Sequence, residues 1–187
     1  MNQMDSSQGR QLITELTYHS IKDLAANELV LLDEMMPGKD GLTTLEEKSL
    51  GAIAKGGSRP VVEVIEYSEQ ASKNGLVIMN TPSAACESMT GLLGGGSQMI
   101  IFSTGRGNAI GAPIAPTVKI TGNPHTAAAM KENIDVDVSA IISNSEPLEL
   151  AADRLWNEMV KTAQGKLTRC EVLQEDQLSV SRFGPSV

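Results

Sequence analysis

The sequence predicts an α/β fold: a mostly parallel sheet with flanking helices, Rossmann-like and three-layered, followed by an irregular C-terminal tail. Three observations predict it. Short β-branched or apolar runs recur at Val61–Ile65, Leu76–Met79, Met99–Phe102 and Thr117–Ile120. Helical patterns occur before, among and after them, and glycine or proline marks the junctions. Strands that alternate with helices favour parallel pairing, because a parallel pair needs the long crossover that a helix supplies.

Residues 1–40 read as a divergent N-terminal segment with two short helices and little β-branched content; residues 41–187 read as the α/β domain. The break between them is Pro37-Gly38-Lys39-Asp40-Gly41. A helix then starts at Thr44-Leu45-Glu46-Glu47, a capping box in which Thr44 and Glu47 satisfy each other's orphan amides. Leu45, Leu50, Ile53 and Ala54 give it an apolar side, and Gly56-Gly57 ends it. Val61–Ile65 is short and β-branched, hence a strand. Leu76–Met79 is continuously apolar, as in a strand buried on both faces. Ser83 can cap a helix through about Leu93, which Gly94-Gly95-Gly96 stops. Met99–Phe102 and Thr117–Ile120 are the next two strands. Asn123-Pro124 opens a helix, with Asn as cap and Pro at the first helical position, and Asn133 closes it. Ile134–Val138 is either a strand or an extended loop. Ser145-Glu146-Pro147 opens a longer helix to Gln164, with Gly165 as its stop. Leu148, Ala151, Ala152, Leu155, Met159 and Val160 keep helical spacing along it, so it is amphipathic.

Composition excludes several classes. The 187 residues suffice for one domain with a core, and 41% are hydrophobic. No run approaches the roughly 18 apolar residues of a membrane helix. Met1 to Arg10 has no apolar stretch of the secretory kind, so a cytoplasmic location is expected. The net charge of −8 argues against nucleic acid, which needs a basic face, and the 3% aromatic content argues against base stacking. Cys86 and Cys170 lie far apart and outside any Cys/His cluster, so neither a zinc site nor a disulfide framework is expected. An anionic small molecule remains open, provided that a specific Arg or Lys receives it.

Ligands of parallel α/β sheets sit at the carboxyl ends of the strands. There the chain places Ser103-Thr104-Gly105-Arg106-Gly107-Asn108. Glycines let backbone amides turn toward an anion, and the Arg fork matches a carboxylate. A turn with a solvated Arg is the alternative. After Met79, Glu87 falls in the first turn of a helix, either as a general base or metal ligand or simply complementing the helix dipole. His125 opens the Asn123 helix near the same edge and is an acid/base candidate. Asp135 and Asp137 alternate, so on a strand they share a face. Two carboxylates on one face suit a hard divalent cation; otherwise they form a polar edge in which an Asp bonds nearby amides.

Leu31-Leu32-Asp33-Glu34-Met35-Met36-Pro37-Gly38 is similar to the phosphoacceptor segment of receiver domains, with Asp33 as acceptor. That family needs an acidic pair after an earlier strand, and nothing upstream supplies one.

Three stretches taken together carry a stronger resemblance. Gly41-Leu42-Thr43-Thr44-Leu45-Glu46-Glu47-Lys48-Ser49-Leu50-Gly51 resembles a GGLTTxEEKxLG segment. Phe102-Ser103-Thr104-Gly105-Arg106-Gly107 resembles an FTTGRG loop, and Ile134-Asp135-Val136-Asp137 an IDVN segment. Val118-Lys119-Ile120 before Asn123 is similar to an IKxxxN stretch. These are motifs of the C-terminal part of the altronate/galactarate dehydratase family. Pro82 to Thr90, Thr121 to Thr126 and Ile134 to Ser139 are closer to the large subunit of sulfolactate sulfo-lyase, a relative that releases sulfite instead of water.

The resemblance implies a lyase acting on a small anionic hydroxy acid by metal-assisted β-elimination, either dehydration or sulfite release. It implies a divalent metal, Fe(II) or Mn(II). Thr104, Gly105, Arg106, Gly107 and Asn108 are then the substrate-binding loop. Asp135 and Asp137 are metal candidates, and Glu87 and His125 acid/base candidates. Residues 1–40 match neither branch's upstream region. A partner subunit or a missing N-terminal domain is therefore expected, as is a homo-oligomer, and an acid-binding or assembly domain that does not catalyse alone stays open.

Overall fold

The computed structural model describes residues 60–82, 84–142 and 145–179. Asp33, the Thr44 helix and the Ser83 cap lie outside the described residues.

The first pair of strands is β1 (Val61–Ile65) and β2 (Leu76–Met79). They pair in parallel, Val64 with Ile78 and Ile65 with Met79. No helix crosses between them. The connection turns at Ser68 and Gly75, which both have positive φ. Glu63 of β1 ties it down by accepting from the Ser72 and Lys73 amides and the Ser72 hydroxyl, at 2.6–3.1 Å. Helix α1 (Ala85–Gly94) follows. Its cap position is Ala84, without a side-chain bond, and Gly96 at φ 95° turns the chain away after it.

The second sheet holds β3 (Ile100–Ser103), β4 (Thr117–Thr121) and β5 (Val136–Asp137), in that order and all parallel. The described strands thus make two parallel sheets, where the strand pattern alone suggested one. Between β4 and β5 lies α2 (Pro124–Ala129), opened as expected: the Asn123 side chain accepts from the His125 amide, and Pro124 needs no acceptor. It ends at Met130, earlier than Asn133. The Ile134–Val138 run becomes a two-residue strand that leads into α3 (Ser139–Ile142).

Helix α4 (Leu148–Ala163) is the longest among the described residues. Its apolar face buries Ala151 and Leu155 against Val118, Ile120, Val136 and Val138. Each large aliphatic side chain so buried contributes about 1.5–3 kcal/mol. A second cluster joins α1 to β3 through Met89, Leu93, Ile100, Ala112 and Ala115.

The tail after Gly165 departs from the expected irregular segment. It forms α5 (Arg169–Leu173), started by a capping box between Thr168 and Glu171. The chain then returns to the core: Cys170 is buried, and Gln177 N–H bonds the Gly111 carbonyl at 2.9 Å. A side chain at Gly111 would collide with the Glu175 carbonyl, so the glycine permits this close approach.

Candidate functional site

Parallel pairing of β3 with β4 brings both carboxyl ends to one edge. Ser103 pairs with Ile120, and Thr104 N–H continues the ladder to the Ile120 carbonyl at 3.0 Å. The turn Thr104–Asn108 therefore starts beside α2. Hydrogen bonds from the second sheet and α2 then fix its path. The Thr121 hydroxyl donates to the Thr104 carbonyl at 2.7 Å, and the Gly105 carbonyl accepts from Asn123 Nδ2 at 2.8 Å and the Thr126 hydroxyl at 2.7 Å. Gly107 N–H donates to Thr104 Oγ1 at 3.0 Å. Gly107 has φ 79°, and a Cβ there would run into Met130 Sδ, so this position requires glycine. Asn108 Oδ1 accepts from Ile110 N–H at 3.1 Å.

Beneath the turn lies Lys119, fully buried in β4. Its Nζ donates to the Asn108 carbonyl at 2.9 Å and to Glu175 Oε2 at 3.0 Å. Glu175 also accepts from Asn133 Nδ2 at 2.6 Å. The C-terminal segment thus neutralises the lysine that supports the turn.

A cleft of about 420 Å³ opens between this turn and the start of α1. Thr104, Gly105, Arg106, Gly107 and Asn108 all line it. Arg106 is exposed and forms no ion pair among the described residues. Ala85, Ser88 and Met89 form the α1 wall. Those three positions share a helix face, which leaves Glu87 on another side. Glu87 is half-buried, its carbonyl accepts from the Tyr67 hydroxyl at 2.8 Å, and it does not line the cleft. His125 is exposed on α2 and does not line it either. No carboxylate or imidazole is among the described residues around this cleft.

Asp135 and Asp137 lie elsewhere. They border a separate open groove of about 320 Å³ that also holds Arg154 and Lys161. Asp135 Oδ2 accepts from Lys119 N–H at 2.7 Å, and its Oδ1 from Arg169 N–H at 2.8 Å. Burial pushes its carboxyl above the usual range, and the two amide bonds pull it back. Asp137 Oδ1 caps Ser139 N–H at 2.8 Å. Among the described residues, no three His, Cys, Asp or Glu side chains gather as a metal would require. By themselves these carboxylates do not fit a divalent cation: the oxygens of Asp135 already hold amides, Glu158 in the same groove pairs with Lys166, and two cationic side chains share it.

Two features of the site escaped the sequence reading. Lys119 enters that reading only through the IKxxxN resemblance, which gives it no role. Ser103 stood outside the expected strand and outside the expected binding residues, yet it ends β3 and lines the cleft. Its signal was a hydroxyl at the carboxyl end of an apolar run.

The family described as D-galactarate/Altronate dehydratase, C-terminal, matches residues 1–186. The (2R)-sulfolactate sulfo-lyase subunit beta of Chromohalobacter salexigens is 40% identical over 157 residues, covering 81% of this chain and 40% of that protein. The altronate dehydratase of Escherichia coli is 35% identical over 161 residues, covering 85% of this chain and 32% of that protein. The galactarate dehydratase (L-threo-forming) of Escherichia coli is 30% identical over 128 residues, covering 68% of this chain and 24% of that protein. The chain thus spans 40% or less of the length of these relatives.

Proposed function

The chain belongs to the D-galactarate/altronate dehydratase C-terminal family, and on that premise we propose that its cleft binds a small hydroxy acid for β-elimination of the sugar-acid dehydration type. The carrying observation is the 420 Å³ cleft with Arg106, unpaired among the described residues, on a turn fixed by hydrogen bonds. Arg106 takes the carboxylate. The fixed turn keeps the guanidinium at one end of the cleft, so the rest of the acid lies along the α1 wall.

Elimination also needs a base for the proton beside the carboxylate, and dehydration needs an acid for the leaving oxygen. The described lining residues offer neither. Both groups therefore come from beyond the described residues, or from a partner subunit or domain corresponding to the part of the relatives that this chain does not span. The proposal gives the same origin to the ligands of a divalent metal, Fe(II) or Mn(II), which when bound would take up charge that develops on the acid. The reaction is proposed as cytoplasmic; no helix among the described residues is long and apolar enough to cross a membrane. Sulfite release from a sulfolactate-like acid is the second reading, favoured by the 40% identity to a sulfo-lyase subunit.

The test is calorimetric titration of the chain with altronate, galactarate and (2R)-sulfolactate, anaerobically, with and without Fe(II) or Mn(II). Binding of one acid is expected, and Arg106→Ala is expected to weaken it about tenfold or more. Equal affinity of the variant for that acid would remove Arg106 from the site. The acid that binds decides between water and sulfite as leaving group.

A further inference from the structure

The carboxyl end of β3 carries a polar atom without a structural use. Ser103 is 8% exposed, and its hydroxyl has no hydrogen-bond partner among the described residues. The neighbouring hydroxyls are all committed: Thr104 accepts from Gly107, Thr121 donates to the Thr104 carbonyl, and Thr126 donates to the Gly105 carbonyl. Across the cleft, the buried Ser88 hydroxyl is bonded to that of Thr81 at 3.1 Å. A buried hydroxyl without a partner costs free energy that an alanine would avoid. Ser103 also lines the cleft, three positions before Arg106, and its oxygen is covered in the unliganded protein, so contact with an acid requires a χ1 rotation that no hydrogen bond opposes.

We propose that the Ser103 hydroxyl is the specificity-determining contact of this cleft, reading a hydroxyl of the acid whose carboxylate Arg106 holds. The inference rests on the reading of the cleft as an acid site and adds what selects the acid. A serine hydroxyl both donates and accepts, so it matches another hydroxyl atom for atom. Its depth excludes the carboxylate, because a buried charge needs more than one neutral partner while the exposed Arg106 offers a solvated fork. The cleft therefore receives hydroxy acids with the charged end outward at Arg106 and a hydroxyl inward at Ser103. Acids of the same length without hydroxyls leave Ser103 unpaired and bind less well.

The experiment compares three matched pairs by calorimetry on the full chain: altronate with hexanoate, galactarate with adipate, and (2R)-sulfolactate with 3-sulfopropionate. Wild type is expected to prefer the hydroxylated member of one pair. Ser103→Ala is expected to lower affinity for that member about tenfold or more and to leave its partner unchanged, which abolishes the preference. Arg106→Ala is expected to weaken both members and keep their ratio. Because the Ser103 hydroxyl has no partner among the described residues, the unliganded Ser103→Ala variant is expected to unfold at the same temperature as wild type or higher. A variant that keeps the wild-type preference overturns the role of Ser103 and leaves the acid site standing. A wild type that binds both members equally does the same. A wild type that binds none of the six acids overturns both. A lower unfolding temperature together with an unchanged preference would make Ser103 a packing residue.

Discussion

The turn Thr104–Asn108 follows β3 and the segment Asp135–Asp137 includes β5, the two strands that flank β4 in one parallel sheet, and both carry polar side chains. In the turn, hydrogen bonds hold mainly the backbone, while among the described residues the Arg106 side chain forms no ion pair and the nearby Ser103 hydroxyl has no partner. In the segment, the side chains themselves are committed. Asp135 joins the amide of Lys119 in β4 to that of Arg169 at the start of α5, and Asp137 caps α3. A polar group is available to a ligand only when the fold has not already used it. By that measure the turn is the proposed binding element, and the Asp pair is held as scaffold.

The sharpest way to break this contrast is to remove the lysine that supports the turn. Lys119→Met leaves Glu175 without its cation and the Asn108 carbonyl without its donor. It is expected to cost about 3–5 kcal/mol in chemical denaturation. Replacing Glu175 by Gln in the same chain is expected to recover part of that loss.

A smaller effect follows at the Asp segment. Asp135→Ala removes two amide bonds to a carboxylate and is expected to cost about 2–3 kcal/mol. Acid affinity and divalent-cation titrations of the chain are expected to stay as in wild type. A weakened cation titration would return Asp135 to the ligand side of the comparison.

The smallest effect belongs to Cys170, which packs where the C-terminal segment meets Gly111. Burial pushes its thiol above the ordinary value of 9.0, although Lys119 pulls the other way. With the folded pKa raised, the group's contribution is complete below the unfolded value and lost as pH rises through the folded one. Denaturation curves of wild type are therefore expected to lose stability above about pH 9 more steeply than those of Cys170→Ala. At neutral pH a thiol reagent is expected to label the half-buried Cys86, and Cys170 only after unfolding.

Much of this arrangement was legible in the chain. Local signals placed α2, because Asn123 and Pro124 satisfy a helix start without help from afar. They placed β3 and β4 to within one residue, because short β-branched runs bounded by turn residues allow few alternatives. The Gly105-Arg106-Gly107 turn was legible for the same reason. The capping box at Thr168 and Glu171 was present in the sequence but was overlooked within a polar tail. Glu87 and His125 fell at helix starts near the expected edge, yet the helix faces turned them away from the cleft. About half a turn of helix, some two residues, separates facing from averted, and positions near a strand end do not reveal that rotation.

By itself the sequence determined the parallel strands, the helices between them, the arginine turn at a strand end and the family to which the chain belongs. These follow from contacts between residues close in the chain, or from motifs whose order survives without coordinates. Only the tertiary structure decided which polar groups are used up. Lys119 meets Glu175 56 positions away, and Asp135 meets Arg169 34 positions away. Hydrogen bonds saturate, so whether Asp135 can hold a cation or Ser103 can receive a ligand depends on partners that distant segments either bring or withhold.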